Sequence, residues 1–254
     1  MSGRLDGTVA LVTGASSGIG EATAVQLAAE GASVAVVARR RDRLDRLAQR
    51  IGEAGGSAHV FDADITDAAQ ATAVVARVVE VLGRLDTVVN NAGVMLLGPA
   101  LDAPAQEWQR MVDTNVSGLL HVTHAALPHL VRAAADGPRR VADLVNISSV
   151  AGRRASAGSA VYNLTKFGVS ALSEALRQEL AAEHVRVSAV EPGAVATELR
   201  DHIREEIRDA QLRRFADVEV LLSEDIADAV TWIVTRSRRV AVNEVLIRPT
   251  EQQG

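Results

Sequence analysis

Two side chains at the start of an apolar-periodic stretch have the types and the spacing needed for proton transfer. Tyr162 and Lys166 lie four residues apart, and Tyr162 is the only tyrosine among 254 residues. On a helix this spacing places both side chains on one face. An ammonium beside a phenol favours the phenolate, which lowers the tyrosine pKa from about 10. The pair is therefore predicted to exchange a proton with a carbonyl or alcohol oxygen.

Ser149 is a third candidate group, upstream of this pair. It follows the apolar run 141–147, which predicts a strand, so its hydroxyl could hold the same oxygen from the strand side. Arg153 and Arg154 lie between Ser149 and Tyr162. One interpretation is that these arginines bind a substrate carboxylate. The other is that they are ordinary exposed arginines.

A glycine-rich turn near the amino end predicts a phosphate-binding site. The β-branched run 9–12 is followed by Gly14, Gly18 and Gly20, and then by a helical pattern over 21–30. Glycines allow the backbone to approach a phosphate closely, and the helix start offers free N–H groups and the positive end of its dipole. The alternative is an ordinary tight turn between a strand and a helix.

Arginines follow the second predicted strand, 33–38. In dinucleotide-binding folds an acidic residue about 20 positions after the glycine turn contacts the ribose 2′-hydroxyl, whereas arginine accommodates a 2′-phosphate. Arg39 and Arg40 occupy that place. Arginines that open a helix oppose its dipole, at a cost of about 0.3–1 kcal/mol each that a bound anion would offset. The pattern predicts NADP(H) rather than NAD(H); the alternative is a solvated basic helix start.

Several other predicted strands end in polar or turn-forming residues, and ligands bind at the carboxyl edge of an open α/β sheet. Asp64 follows one strand and is either on the ligand side or part of a helix cap or turn. Asn90 and Asn91 follow the next strand, where they either hold the centre of the sheet or contact a cofactor. Pro192 and Gly193 mark a sharp exit from a later strand.

Two further segments allow more than one interpretation. The charge-rich region 194–222 is either a pair of mobile helices that covers a site as a lid or a plain solvated helix pair. His121, His124 and His129 raise the question of a metal site. Only the first two share a helix face and no carboxylate completes the set, so we expect no metal there.

Composition excludes several classes of protein. Hydrophobic residues make up 48% of the chain, the formal net charge is −5, and there are no cysteines. The acidic balance disfavours nucleic acid and anionic membranes as partners. Without cysteine, disulfides and thiol nucleophiles are excluded. No apolar run reaches the roughly 18 residues of a membrane span, and the first residues lack a signal core. We therefore expect a soluble cytoplasmic protein.

Strand-like and helical patterns alternate along the whole chain with short connections. This alternation predicts an α/β fold, namely a single Rossmann-like domain over 1–254 with a doubly wound parallel sheet of about seven strands and helices on both faces. The cofactor half covers about 1–140 and the catalytic half about 141–254. The predicted strands are 9–12, 33–38, 58–61, 85–89, 141–147, 185–190 and 244–247.

Taken together, these motifs resemble the short-chain dehydrogenase/reductase family, and their order and spacing match throughout. The residues that carry the resemblance are Thr13, Gly14, Gly18, Ile19, Gly20, Asn90, Asn91, Ala92, Gly93, Asn115, Ser149, Tyr162, Lys166, Pro192 and Gly193. The family pattern selects Ser149 over Ser148. The resemblance implies hydride transfer between NADP(H) and a small-molecule carbonyl or alcohol substrate, in a homotetramer or homodimer. A 3-oxoacyl or polyketide ketone reductase and a non-catalytic NADP(H) sensor are the alternatives.

The resemblance also implies roles for individual residues. Tyr162 would be the general acid in reduction, Lys166 would hold the nicotinamide ribose, and Ser149 would bind the substrate oxygen. The main chain at Asn115 would hold a water that relays protons to Lys166. The implied cofactor-binding residues are Gly14, Ser16, Ser17, Gly18, Ile19, Gly20, Arg39, Arg40, Asp64, Ile65, Asn91, Ala92, Gly93, Tyr162, Lys166, Pro192, Gly193, Val195 and Thr197.

Overall fold

A seven-stranded sheet forms the centre of the computed structural model, which describes residues 3–214 and 217–253. The strand order is β3-β2-β1-β4-β5-β6-β7, and every neighbouring pair is parallel. The strands are β1 (Val9–Thr13), β2 (Ser33–Ala38), β3 (Ser57–Asp62), β4 (Thr87–Asn90), β5 (Ala142–Ile147), β6 (Val185–Pro192) and β7 (Glu244–Ile247). The predicted doubly wound parallel sheet is therefore confirmed.

Helices cover both faces of this sheet. They are α1 (Gly18–Ala29), α2 (Arg41–Glu53), α3 (Ala68–Leu82), α4 (Ala105–Val112), α5 (Leu119–Asp136), α6 (Ala160–Leu180), α7 (Glu205–Arg214) and α8 (Ser223–Val234). One core cluster packs α1, α2 and α8 on one face, and a second packs α3 and α5 on the other. Strands β1 and β5 are buried along their whole length, so apolar residues occupy most of their positions rather than every second one; Asp143 and Asn146 are buried polar residues of β5.

The strand order reverses between β1 and β4, and this reversal places the site. The chain first builds the sheet outward from β1 through β2 to β3, then returns to add β4 on the other side of β1. The connections on the two sides leave in opposite directions, so a crevice opens at the carboxyl ends of β1 and β4. The glycine-rich turn that follows β1 and the Asn-Asn-Ala-Gly segment that follows β4 both lie there.

Some boundaries differ from the predicted ones. Helix α1 begins at Gly18 rather than Glu21, and β4 covers Thr87–Asn90 rather than 85–89. The apolar periodicity over 105–132 predicts helix, and the structure interrupts it with a π-helical segment, Asp113–Gly118, which contains Asn115. Such one-turn π segments occur where the backbone must give up a regular hydrogen bond, often at functional sites. An apolar period alone does not indicate this interruption.

The predicted lid region is helical over most of its described length. A short 3₁₀ turn covers Glu198–His202, and α7 follows at Glu205–Arg214. Within the predicted range 194–222, residues 215 and 216 lie outside the described residues. An isolated parallel bridge joins Val195 to Leu221, so the two ends of the region are fastened to each other. Because β6 ends at Pro192, this bridge holds both ends of the predicted lid region near the carboxyl end of that strand.

Candidate active site

Ser149 begins a tight turn at the end of β5. Its hydroxyl accepts a hydrogen bond from the backbone N–H of Ala151 at 3.1 Å, and the 3₁₀ turn Val150–Gly152 follows. Gly152 packs so closely on α6 that a Cβ there would lie 2.7 Å from Ser148 Oγ and 2.8 Å from the carbonyl oxygen of Lys166. The turn that carries Ser149 therefore rests directly on the helix that carries the other two predicted catalytic residues.

Tyr162 and Lys166 lie on the buried face of α6, each only 7% exposed. Lys166 Nζ donates a hydrogen bond to the carbonyl oxygen of Ile147 at 2.8 Å. The same ammonium lies 5.8 Å from the centre of the Tyr162 ring. Because Ile147 ends β5 just before Ser149, this bond brings strand and helix together, and all three predicted groups face one cleft.

The structure contradicts the predicted direction of the tyrosine pKa. Burial raises the pKa of Tyr162 to about 12, and a hydrogen bond with the Ser149 hydroxyl opposes this rise. Burial lowers the pKa of Lys166 to about 8. Desolvation disfavours both charged forms and outweighs the attraction that the spacing suggested. At neutral pH Tyr162 is a neutral phenol, which is the form that can donate a proton.

The Asn115 side chain fastens the π-helical segment to the loop after β4. Its Oδ1 accepts from the Val94 N–H at 2.8 Å, and its Nδ2 donates to the Val94 carbonyl at 2.9 Å. Nδ2 also lies 3.2 Å from Thr165 Oγ1, on the turn of α6 between Tyr162 and Lys166. With its side chain engaged in this way, Asn115 offers only main-chain groups to any further partner. It does not itself line the cleft.

The glycine-rich turn is shaped for close approach. Gly14 adopts a φ of +64°, and a Cβ there would lie 2.8 Å from the Ala92 Cα. A Cβ on Gly20 would lie 2.4 Å from Asn91 Nδ2, so Gly20 serves helix packing and lies behind the cleft wall. Gly18 and Ile19 are the first two residues of α1, and both line the cleft. A backbone free of side chains, at a helix start, fits a pyrophosphate group.

The predicted 2′-phosphate end of the site holds Arg40 in a network of hydroxyl groups. Arg40 Nε and Nη2 donate to Ser16 Oγ at 3.1 and 2.9 Å, and Nη2 also donates to Ser17 Oγ at 2.9 Å. Arg39 is more exposed, and its Nη1 lies 3.9 Å from a carboxylate oxygen of Asp64. Both arginines line the cleft. Of the two, Arg40 is the one bound to the glycine-rich turn.

One continuous cleft of about 550 Å³ connects these features. It is lined by nearly all of the predicted site residues, namely Gly14, Ser16, Ser17, Gly18, Ile19, Arg39, Arg40, Asp64, Ile65, Asn91, Ala92, Gly93, Ser149, Tyr162, Lys166, Pro192, Gly193, Val195 and Thr197. Gly20 and Asn115 are the two predicted residues that support it from behind.

The structure shows what the polar residues at the strand ends, Asn90, Asn91 and Asp64, contact. Asn90 is a structural residue, because its Nδ2 donates to Thr123 Oγ1 and Asn146 Oδ1, both at 2.9 Å. Asn91 does both things: Nδ2 donates to the Thr13 carbonyl at 3.0 Å, and the residue lines the cleft. Asp64 forms a local turn with the following threonine and also lines the cleft.

The interpretation of Arg153 as a substrate ligand is not supported. Its Nε donates to Glu191 at 2.7 Å, it also pairs with Glu244, and neither Arg153 nor Arg154 lines the cleft. Glu191 is completely buried, and its other oxygen accepts from Ser170 Oγ at 3.2 Å. A buried charge requires a partner. Arg153 is the partner of Glu191, which lies behind the Ser149 turn.

Several cleft residues were not found from the sequence. Val94, Met95 and Leu97, from the loop after β4, form an apolar wall near Tyr162 with Ile203 from the lid. Gln252 reaches the cleft from the carboxyl-terminal tail, where its Oε1 accepts from the Ala194 N–H at 2.8 Å. These residues lie in loops without periodicity, so the sequence carries no signal for them.

The described part of the chain contains neither a cluster of metal ligands nor a helix that could cross a membrane. Among the described residues there is no group of three or more His, Asp and Glu side chains placed to hold a metal ion. His121, one of the three histidines considered above, has its Nδ1 3.1 Å from the Ile65 carbonyl oxygen. Over residues 3–214 and 217–253 there is also no helix with the length and apolarity needed to cross a membrane.

Comparison with known proteins identifies the family. A family model described as short chain dehydrogenase matches residues 8–208. An uncharacterized oxidoreductase of Staphylococcus epidermidis is 36% identical over 241 residues, which are 95% of this chain and 96% of that protein. The chain therefore belongs to the short-chain dehydrogenase family, as the sequence motifs predicted. It is an oxidoreductase.

Solved structures of two relatives agree in fold over nearly the whole chain. The closed form of a serine dehydrogenase complexed with NADP+ has a TM-score of 0.88 at 31% identity, with 97% of each chain covered. A 3-ketoacyl-(acyl-carrier-protein) reductase from Brucella melitensis complexed with NADH has a TM-score of 0.84 at 32% identity, with 96% of this chain and 98% of that chain covered.

Replacement of Arg153 by methionine is expected to destabilise the protein by about 1–3 kcal/mol, because the buried Glu191 carboxylate loses a charged partner. Urea denaturation measures this change. Arg154→Met is the matched control, since that arginine is exposed and outside the Glu191 network, and should change stability by less than about 0.5 kcal/mol. Adding Glu191→Gln to Arg153→Met should recover part of the loss. Equal stability of the two single variants would contradict this account.

Proposed function

We propose that this protein is an NADP(H)-dependent reductase of aldehydes or ketones that also runs in the alcohol-oxidising direction. The observation that carries the proposal is the placement of Ser149, Tyr162 and Lys166 at one end of a cleft whose other end carries Arg40 and the glycine-rich turn. A dinucleotide is long enough to join two such ends. The NADP+ bound by the serine dehydrogenase relative supports the same cofactor.

Different residues of this chain would bind different parts of the cofactor. The N–H groups at the start of α1 and the bare backbone at Gly14 and Gly18 would hold the pyrophosphate. Arg40, with Arg39, would hold the 2′-phosphate. The family resemblance implies the further contacts: Asp64 and Ile65 with the adenine, Asn91 with the adenosine ribose, Lys166 with the nicotinamide ribose, and Val195 and Thr197 with the nicotinamide carboxamide. Ala92, Gly93, Pro192 and Gly193 line the same cleft and would also contact the cofactor.

The catalytic groups supply the proton and stabilise charge. The bound nicotinamide supplies or accepts the hydride. Tyr162, held neutral by burial, donates its proton to the carbonyl oxygen, and Ser149 donates a hydrogen bond to the same oxygen as charge develops on it. The Lys166 ammonium stabilises the negative charge left on the Tyr162 oxygen. Lys166 would then pass a proton to the Tyr162 oxygen, and a water on the main chain of Asn115 would replace the proton that Lys166 has given up.

We propose a carboxylated aldehyde or its hydroxy-acid product as the substrate class. Segments 90–99, 166–169 and 247–250 resemble clavulanic acid dehydrogenase and bacterial NADP-dependent hydroxy-acid dehydrogenases. Serine, named for one structural relative, likewise carries a hydroxyl and a carboxylate. In this chain Arg200 and His202 line the cleft from the lid, beside the apolar wall at Val94 and Leu97. A ketone of a 3-oxoacyl thioester is the second candidate, favoured by the ketoacyl reductase relative.

We propose that the protein assembles as a homotetramer, or as a homodimer on one of two faces. Large apolar side chains are exposed on two separate surfaces. The first lies on α4, α5 and α6 and includes Trp108, Leu120, Leu164 and Phe167; the second, on and near α8 and β7, includes Trp232, Val240 and Leu246. Exposed apolar patches of this kind favour association between copies.

Tyr162→Phe keeps the ring and removes the transferable proton. We expect a loss of about 100- to 10,000-fold in the reduction rate, with cofactor binding retained. The rate is measured as the loss of reduced-cofactor absorbance, with NADPH and NADH run in parallel. The substrates are simple aldehydes and ketones, the free acid and ester forms of one aldehyde, and a 3-oxoacyl thioester. Turnover with NADPH supports the proposal, and preference for the acid or the thioester decides the substrate class. Near-normal turnover by Tyr162→Phe, or NADPH binding without turnover on any of them, argues against it.

The pH dependence of reduction should follow Lys166. Its pKa of about 8 means that the ammonium is present below that pH and is lost as the pH rises through it, while Tyr162 stays protonated. The reduction rate at saturating cofactor should therefore be level between about pH 6 and 7 and fall above about pH 8. Lys166→Met should be slower and lack this fall. A rate that rises from neutral to alkaline pH would contradict the assignment.

Charge placed on an assembly face should separate the subunits. Phe167→Asp, on α6, and Leu246→Asp, on β7, test the two faces. Light scattering after gel filtration should show a smaller particle for at least one of them, because burial of an unpaired carboxylate is unfavourable. Leu101→Asp is the control, since Leu101 is 99% exposed on a loop and belongs to neither face. A monomeric wild-type protein would contradict the proposal.

A further inference from the structure

The arginine end of the cleft holds a carboxylate from the protein itself. Arg40 and Arg43, at the start of α2, both contact Glu198. Arg40 Nη1 lies 3.0 Å from Glu198 Oε2, and Arg43 Nη1 lies 2.6 and 2.8 Å from the two Glu198 oxygens. Glu198 is 155 residues further along the chain than Arg43 and opens the short turn of the lid.

The same donors are those that a cofactor 2′-phosphate requires. The Arg40 guanidinium that bonds Glu198 through Nη1 also bonds Ser16 and Ser17 on the glycine-rich turn. Ser16, Ser17, Arg40 and Glu198 all line the cleft. A built anion site thus exists at this point, and the Glu198 carboxylate is the anion that the protein itself places there.

A carboxylate and a phosphate ester are alternative ligands for one guanidinium. Both present paired oxygens to its N–H groups. A phosphate monoester carries about −1.5 to −2 charges at neutral pH, so it repels a carboxylate that remains at the same donors. The neutral 2′-hydroxyl of NAD(H) causes no such repulsion. The pKa of Glu198 is lowered by its hydrogen bonds to Arg43 and Arg40, so the carboxylate stays ionised at neutral pH.

We infer that Glu198 is a specificity-determining residue for the cofactor. Its carboxylate competes with the ribose 2′-phosphate for Arg40 and thereby reduces the preference for NADP(H) over NAD(H). The inference rests on the proposed function, because it assumes that Arg40 binds the 2′-phosphate. Binding of a 2′-phosphorylated cofactor breaks the contact between Arg40 and Glu198 and leaves Glu198 with Arg43 alone. A cofactor with a 2′-hydroxyl leaves both contacts in place.

The experiment measures nucleotide binding rather than turnover. Isothermal titration with adenosine 2′,5′-bisphosphate and with adenosine 5′-monophosphate gives the ratio of the two affinities. We expect Glu198→Gln to raise this ratio by about 3- to 10-fold, as loss of one competing exposed ion pair allows. Glu205→Gln is the control, because it removes the same charge from an exposed position in the lid outside the arginine cluster. Its ratio should match that of the wild-type protein.

The outcomes separate this inference from the proposal on which it rests. A wild-type preference for the bisphosphate, with an unchanged or smaller ratio in Glu198→Gln, overturns the competition and leaves the proposed cofactor standing. A similar rise in both glutamine variants also overturns it, because the effect would then be one of overall charge. Equal affinity for the two nucleotides in both the wild-type protein and Glu198→Gln overturns the NADP(H) proposal together with this inference.

Discussion

The hydrogen bond from the Lys166 ammonium to the Ile147 carbonyl is the interaction around which the site is built. It joins the end of a central strand to the middle of the helix that follows it. Because the strand continues into Ser149 and the helix carries Tyr162 one turn before Lys166, this one contact fixes three chemical groups relative to one another. Burial of the ammonium costs free energy, and the hydrogen bond to that carbonyl offsets part of this cost.

The two ends of the cleft differ in how they handle charge. At the catalytic end, Tyr162 and Lys166 are buried, and desolvation pushes both towards their neutral forms. At the other end, Arg40 and Arg43 remain partly exposed and both pair with the Glu198 carboxylate. Proton transfer needs groups whose charge can change near neutral pH, whereas phosphate recognition needs charge that is permanent. The sheet separates these requirements by placing them at opposite ends of one crevice.

Elements with a clear period were predictable, and contacts across the sheet were not. The strand at 33–38 matches the structure, because a buried parallel strand leaves a direct apolar pattern in sequence. The strand at 244–247 also matches, although its side chains are alternately exposed and half-buried. The π-helical segment at Asp113–Gly118 left none, since it arises from the bonds between Asn115 and the loop at Val94. Such a bond depends on two segments that meet only after folding.

In the site, too, residues that belong to a sequence motif were predictable, and properties that depend on the surrounding residues were not. The glycine-rich turn, Ser149, Tyr162 and Lys166 could be identified, because chemistry fixes both their types and their spacing. The pairing of Arg153 with Glu191 and the direction of the Tyr162 pKa could not, because each depends on burial and on partners distant in sequence. Residue type indicated what these groups can do, and packing decided what they do here.

Because Tyr162 is the sole tyrosine and lies inside the protein, the chain carries a built-in optical reporter at its proposed catalytic centre. Ionisation of a phenol changes its near-ultraviolet absorbance, and in most proteins that signal is an average over many tyrosines. Here every change in phenolate absorbance arises from one oxygen atom. The protonation state of the catalytic group, with or without cofactor, can therefore be followed by spectroscopic titration of the unmodified protein.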